Sequence, residues 1–393
     1  MTMHRVTPGV LAVAIVALGA CGGQPEAEIN DPTAAAAPSA EGIPVLEYDD
    51  SWPKRPLPNQ GILGAVMAIF VDAQDHVWVM HWPHYNSPGD HAAAGGNAEC
   101  CRPMPAVVEF DTEGGVVQSW GDPEDPDLPL GGFQWVRERG GAHGLYIDHQ
   151  GTVWTGTHTP GAFYEGAFTN LAKFTSDGTF LMQKGEFGAS KGNADTDNFG
   201  QPVGVVVDPE TNEVFVADGY DNRRVIVIDG DTMEFKRMWG AYGNEPMDGP
   251  LPATEPGGPP AQQFRGVHCI KESHDGLLYV CDRPNNRFQV FQKDGTFIAE
   301  AIVPGAAISD VAFSADPEQR FVYASDGQNR RILILRRDTL ETVGSFGNRG
   351  YYAGEFAGYL HALASDSKGN VYVGEHQGGN RIQRFKVTGS QGE

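Results

Sequence analysis

Basic side chains are scarce in this 393-residue chain: 28 Lys and Arg stand against 51 Asp and Glu, a formal charge of −23 at pH 7. With no basic run to follow a phosphate backbone, nucleic acid is excluded as a partner. The acidity suits a secreted protein that must stay in solution, and calcium binding is the weaker reading of it. At the N-terminus an apolar run from Val10 to Ala20 is too short to cross a bilayer. Helix-compatible stretches are just as scarce. With 51 Gly and 27 Pro, breakers make up about a fifth of the chain and exclude a long helical bundle. Short patterned runs of Val, Ile, Phe, Tyr and Trp exclude wholesale disorder. A turn-rich β protein remains, too long for one sandwich and long enough for a large closed architecture.

Residues 1–20 combine Arg5 with the short apolar run, the form of an export signal. The run ends in Leu18-Gly19-Ala20-Cys21, which resembles a bacterial lipobox. That resemblance implies cleavage before Cys21, acylation of its thiol and anchoring to the cell envelope, on the periplasmic or outer side. Residues 21–42 are small and polar and read as a flexible tether, leaving 43–393 for one folded ring. The four remaining cysteines then face an oxidising compartment.

One phrase returns six times: an apolar strand, a turn near Asp, a second strand of the VFVAD type, then a third strand. The openings are AVMAIFVDAQDHVWVM, HGLYIDHQGTVWTG, VGVVVDPETNEVFVAD, HCIKESHDGLLYVCD, VAFSADPEQRFVYASD and HALASDSKGNVYVGE. The third strands read VVEF, LAKF, RVIVI, RFQVF, RILIL and RIQRF. Units that cannot bury both faces alone predict radial packing into an all-β, six-bladed β-propeller. The phrases VFVADGYDNRRVIVID and VYVGEHQGGNRIQRF resemble the NHL repeat. The last blade has room for only three strands, so IPVLEYD at 43–49 is expected to supply its fourth and close the ring.

Aligned on the shared phrase, the innermost strands place Met67, His143, Val203, His268, Val311 and His361 at one height. Histidine falls in alternate blades, 120° apart in a six-fold ring. Three inward imidazoles with a fourth position for water or substrate are the donor set of a catalytic zinc site. Imidazole also suits copper, iron or nickel. The alternative is three separately satisfied channel histidines.

The strings AHGLYIDHQGTVWTG, FRGVHCIKESHDGLLYVCDRPNNR and LHALASDSKGNVYVGEH resemble successive blades of peptidyl-α-hydroxyglycine α-amidating lyases. The resemblance implies zinc on His143, His268 and His361, and a catalytic base at Tyr220 in the string Asp218-Gly219-Tyr220-Asp221-Asn222. It also implies cleavage of a carbinolamide C–N bond, giving a peptide amide and glyoxylate. Two departures stand out. Trp82 occupies the position of a substrate-binding arginine, so Arg102 or Arg283 would have to serve instead. Ala362 follows His361 where the family has an aspartate for structural calcium, which puts that ion in doubt.

The first blade carries an insertion, residues 82–105, with His84, His91 and the adjacent Cys100 and Cys101 close to His81. It reads as a structural loop, its cysteines bridged to each other or elsewhere; a lid with a second metal or redox pair is the other reading. A vicinal bridge would be unusually reducible. Cys269 and Cys281 fall on neighbouring strands of blade four and could bridge them. Asp218, Asp282, Asp326 and Glu375 end second strands at equivalent places, which suits turn and backbone hydrogen bonding. Two function classes follow: an exported, lipid-anchored, metal-dependent lyase acting as a monomer on a small molecule or peptide, or a non-catalytic propeller binding a protein, peptide or glycan.

Overall fold

The computed structural model describes residues 42–83, 99–121, 141–158, 170–186, 188–252 and 258–391. The export signal, Cys21, the tether up to residue 41, His84 and His91 lie outside the described residues. Strand β1 (Ile43–Asp49) comes first, and β2 (Gly61–Ile62) pairs in parallel with β5 (Arg102–Pro103). Blade one comprises β3 (Ala65–Val71), β4 (Val77–Trp82), β6 (Val107–Phe110) and β7 (Val116–Trp120). Blade two comprises β8 (Gly141–Ile147), β9 (Val153–His158), β10 (Leu171–Phe174) and β11 (Phe180–Lys184). Blade three follows with β12 (Pro202–Val207), β13 (Glu213–Asp218), β14 (Arg224–Asp229) and β15 (Phe235–Trp239). Blade four holds β16 (Val267–Glu272), β17 (Leu278–Asp282), β18 (Arg287–Phe291) and β19 (Phe297–Ile302). Blade five holds β20 (Ile308–Phe313), β21 (Phe321–Asp326), β22 (Arg331–Arg336) and β23 (Thr342–Phe346). The sixth runs β24 (Tyr359–Ser365), β25 (Val371–His376) and β26 (Ile382–Gln391), completed by β1.

Burial explains this arrangement. The inner strands are buried on both faces, as in β21 and β22, whereas outermost strands such as β7 alternate between half-buried and exposed. Each of the six apolar clusters draws its residues from two neighbouring blades, so the core lies between blades. No blade is self-sufficient, and the innermost strands β3, β8, β12, β16, β20 and β24 meet in that cyclic order, β24 returning to β3. This is the six-bladed propeller expected from the repeat. The fourth strand of the last blade is β1, antiparallel to β26 from Ile43↔Gln391 to Asp49↔Arg384.

Aspartates and one glutamate hold the blade corners. Asp218 accepts hydrogen bonds from Gly200 N, Asn222 and Arg224. Asp282, Asp326 and Glu375 repeat the pattern with Arg287, Arg331 and Arg381.

The feature that positions the site is a register shift near the start of every innermost strand. The pairing skips between Val66 and Ala68, His143 and Tyr146, Pro202 and Gly204, Val267 and Cys269, Ile308 and Val311, and Leu360 and Ala362. A bulge of this kind re-aims a side chain away from the ladder. Blade five corrects the sequence alignment. Ile308 pairs with Asp326 as Val267 pairs with Asp282, so Ser309, and not Val311, matches His268. The inserted residue is Asp310, whose N–H donates to Ser325 Oγ at 2.8 Å.

Candidate metal centre

His143, His268 and His361 converge on the ring axis, with ring centroids 5.2, 4.9 and 4.7 Å apart. All three are buried, and one nitrogen from each lies within 4.8 Å of the others. Each Nδ1 donates to a backbone carbonyl of the equivalent residue in the next blade carrying no histidine. The acceptors are Val203 for His143 (3.0 Å), Ser309 for His268 (2.7 Å) and Met67 for His361 (2.9 Å). A carbonyl can only accept, so Nδ1 carries a proton, and in the neutral ring Nε2 keeps its lone pair. The alternation thus has a structural consequence: the intervening blades lend carbonyls that hold each Nδ1 and orient each ring. Burial, followed by the neighbouring His268 and His143, pushes the His361 pKa well below the ordinary imidazole value. Three pre-oriented imidazoles form a group that can hold a metal ion, and the donor set fits a tetrahedral transition ion.

Tyr220 stands beside this group, its ring centroid 6.2 Å from that of His143 and 5.9 Å from that of His268. It follows Gly219 in a left-handed conformation (φ 57°), which turns the chain sharply after β13. Arg283, the first residue after β17, donates to the Tyr220 hydroxyl at 3.2 Å and lies over the rings of Tyr220 and Tyr359. Burial pushes the Tyr220 pKa up, while the Arg283 guanidinium opposes that shift. Among the described residues no carboxylate pairs with Arg283. A guanidinium held against two tyrosine rings can receive an anion.

The other candidates lie elsewhere. Trp82 is 1% exposed and donates its indole N–H to Ala142 O at 2.8 Å, so it presents no donor to a substrate and acts as packing. Its ring meets His376, which stacks on His361 at 5.3 Å and which the repeat alignment did not single out. Arg102 lies on exposed β5 and donates to Cys101 O at 3.1 Å. Of the two arginines, the structure brings Arg283 to the histidines. His81 accepts from Gly64 N at 3.0 Å and reaches Pro105 O at 2.8 Å, contacts that tie down the chain around the insertion. Cys100 is bonded to Cys101, and Cys269 to Cys281 across β16 and β17.

Below the histidines, a cavity of about 30 Å³ is floored by Lys271 and Asp310, 3.4 Å apart. That is room for an ordered water. Burial raises the Asp310 pKa, opposed by Lys271, and its carboxylate accepts the N–H groups of Val311 and Leu363.

No protein-family model matches the chain. Among curated proteins, peptidyl-glycine alpha-amidating monooxygenase A of Xenopus laevis is 28% identical over 256 residues, covering 62% of this chain and 24% of that protein. The enzyme of Mus musculus is 31% identical over 259 residues, covering 63% of this chain and 24% of its own length. Among solved structures, virginiamycin B lyase from Staphylococcus aureus gives a TM-score of 0.44 at 13% identity, covering 84% of this chain and 88% of that one. A streptogramin B lyase gives 0.46 at 13%, with 88% of each chain covered. The chain thus spans about a quarter of the curated relatives it matches, and over that span it is homologous to the peptidylglycine amidating monooxygenases.

Proposed function

We propose that this chain is an exported, lipid-anchored, metal-dependent lyase that splits a carbinolamide C–N bond, as in a peptidyl-α-hydroxyglycine, into an amide and glyoxylate. One observation carries the reading: half-buried Arg283, which pairs with no carboxylate among the described residues, donates to the Tyr220 hydroxyl beside three imidazoles whose Nδ1 atoms are held by backbone carbonyls. Similarity to the amidating monooxygenases supports it over part of their length. His143, His268 and His361 would hold the ion, with zinc as the first choice. The ion supplies Lewis acidity toward a substrate hydroxyl.

The chain's own groups account for the rest. Arg283 binds the carboxylate of the substrate and later of glyoxylate, a charge-assisted contact strengthened by burial. Tyr220, beside the histidines, exchanges the proton: the hydroxyl loses one as its C=O forms, and the amide nitrogen gains one as C–N breaks. Burial alone holds Tyr220 as a phenol, so it can act as a base only through the positive charge around it. Trp82 and His376 pack behind His361 and hold its ring in place.

The test is metal analysis of the purified mature protein, then turnover of a hydroxyglycine model substrate with glyoxylate as readout. Bound metal that is lost in His143→Ala, together with chelator-sensitive glyoxylate release, is the expected result. Metal without turnover would overturn the reaction but keep the site. Protein whose metal content is indifferent to His143→Ala, and whose binding partner survives chelation, would favour the non-catalytic propeller.

A further inference from the structure

Three blades share a second device at the opposite end of the innermost strands. In blade two the turn aspartate Asp148 accepts the indole N–H of Trp154 at 2.8 Å, and Trp154 pairs across the ladder with Lys173. The Lys173 ammonium lies over that indole, 4.0 Å from the Asp148 carboxylate. Blade six repeats the arrangement: Asp366 accepts from Tyr372 at 3.0 Å, and Tyr372 pairs with Arg384. In blade one Asp72 accepts from Trp78 at 2.8 Å, but the residue opposite Trp78 is Glu109. Where blade two sets a cation by the aspartate, and blade six sets one opposite the aromatic residue, blade one sets a second carboxylate.

A histidine completes the exception. The side chain of the residue four after the turn aspartate donates back to it in the sister blades, Thr152 to Asp148 and Asn370 to Asp366. In blade one that residue is His76, and its ring turns instead to Glu109, with Nδ1 2.6 Å from Oε1. One ligand atom from each of Asp72, His76 and Glu109 lies within 4.8 Å of the others. Glu109 is buried, the other two half-buried, and among the described residues no lysine or arginine pairs with Asp72 or Glu109. Gln118 and the backbone N–H groups of Gln74 and His76 fix the two carboxylates without neutralising them. Two like charges this close are stabilised by positive charge between them, which a protonated His76 or a bound cation would supply.

We propose that Asp72, His76 and Glu109 form a second metal site, for a divalent transition ion, at the end of the ring opposite the three histidines. Two carboxylate oxygens and one imidazole nitrogen suit manganese or zinc, with water filling the remaining positions. The ion does for blade one what Lys173 does for blade two. The site is independent of the reaction proposed above, and its failure would leave that reading intact.

Manganese titration of the full mature chain tests it, by calorimetry and by the electron paramagnetic resonance of free Mn²⁺. A His143→Ala background silences the axial site. That protein should bind one equivalent of Mn²⁺, and adding Glu109→Gln should abolish it. The control copies blade two: His76→Thr with Glu109→Lys should fold, bind no Mn²⁺ at this position and melt at a temperature indifferent to chelator. The unsubstituted site should melt several degrees lower once chelated. No bound equivalent in the His143→Ala background, or binding unchanged by Glu109→Gln, would overturn the proposal and leave a His76–Glu109 ion pair.

Discussion

At the scale of single residues, the axial site depends on backbone atoms that the neighbouring blades supply. The His268 ring is held from one side by the Ser309 carbonyl, and on its own strand by the preceding residue, Val267. Gly219 presses on that residue: a Cβ there would lie 1.8 Å from Val267 O. Gly219→Ala should therefore displace both Tyr220 and the strand that carries His268, at a cost of about 1–3 kcal/mol. Denaturant melts would read the stability, and metal affinity should fall with it. Arg283→Met asks a different question. It removes the charge but keeps much of the packing over Tyr359, so the fold should survive by circular dichroism. Glyoxylate release should fall by about a hundredfold or more, because an anion left without its charged partner loses at least ~2–3 kcal/mol. Unchanged turnover would remove Arg283 from the substrate site.

Among elements, β16 and β17 are coupled more tightly than other hairpins because Cys269 and Cys281 are bonded directly across the ladder. The strand of His268 is thereby tied to the strand that ends in Asp282 and delivers Arg283. Replacing both cysteines by alanine should cost roughly 2–3 kcal/mol, the closure entropy of so short a loop, readable as a lower urea midpoint with an unchanged slope. Thiol reductant should then no longer affect stability through this hairpin. The strands themselves were legible in the sequence because apolar runs between Gly, Asp and Asn turns recur six times in one phrase. Two things were not. The extra residue Asp310 is invisible to an alignment anchored on the turn, since a bulge absorbs it without changing the hydrophobic pattern; Val311 was therefore matched where Ser309 stands. His76 and His376 carry no motif, and their neighbours Glu109 and His361 are distant in sequence, so only the ladder register brings each pair together.

For the whole molecule, the ring is only as stable as its seam, where the first described strand, β1, meets the last, β26. Asp49 closes β1 onto β26 through Arg384 Nη2 at 2.5 Å and Lys386 Nζ at 2.9 Å. Burial works against its ionisation, but hydrogen bonds from Ser51, Lys386 and Arg384 outweigh burial and hold its pKa well below the usual carboxylate range. The sign of the linkage follows: a depressed native value means the unfolded chain binds the proton more readily. The seam's contribution is complete above the unfolded value near 4 and disappears as pH falls toward the native one. Asp49→Asn should therefore cost about 1.5–3 kcal/mol at pH 7, the worth of a charged hydrogen-bonded contact. The gap between variant and parent should narrow as denaturant melts are repeated from pH 4 downward. A gap that stays constant to pH 2 would mean that β1 is held by its backbone ladder and the packing of Ile43, with the ion pair contributing nothing.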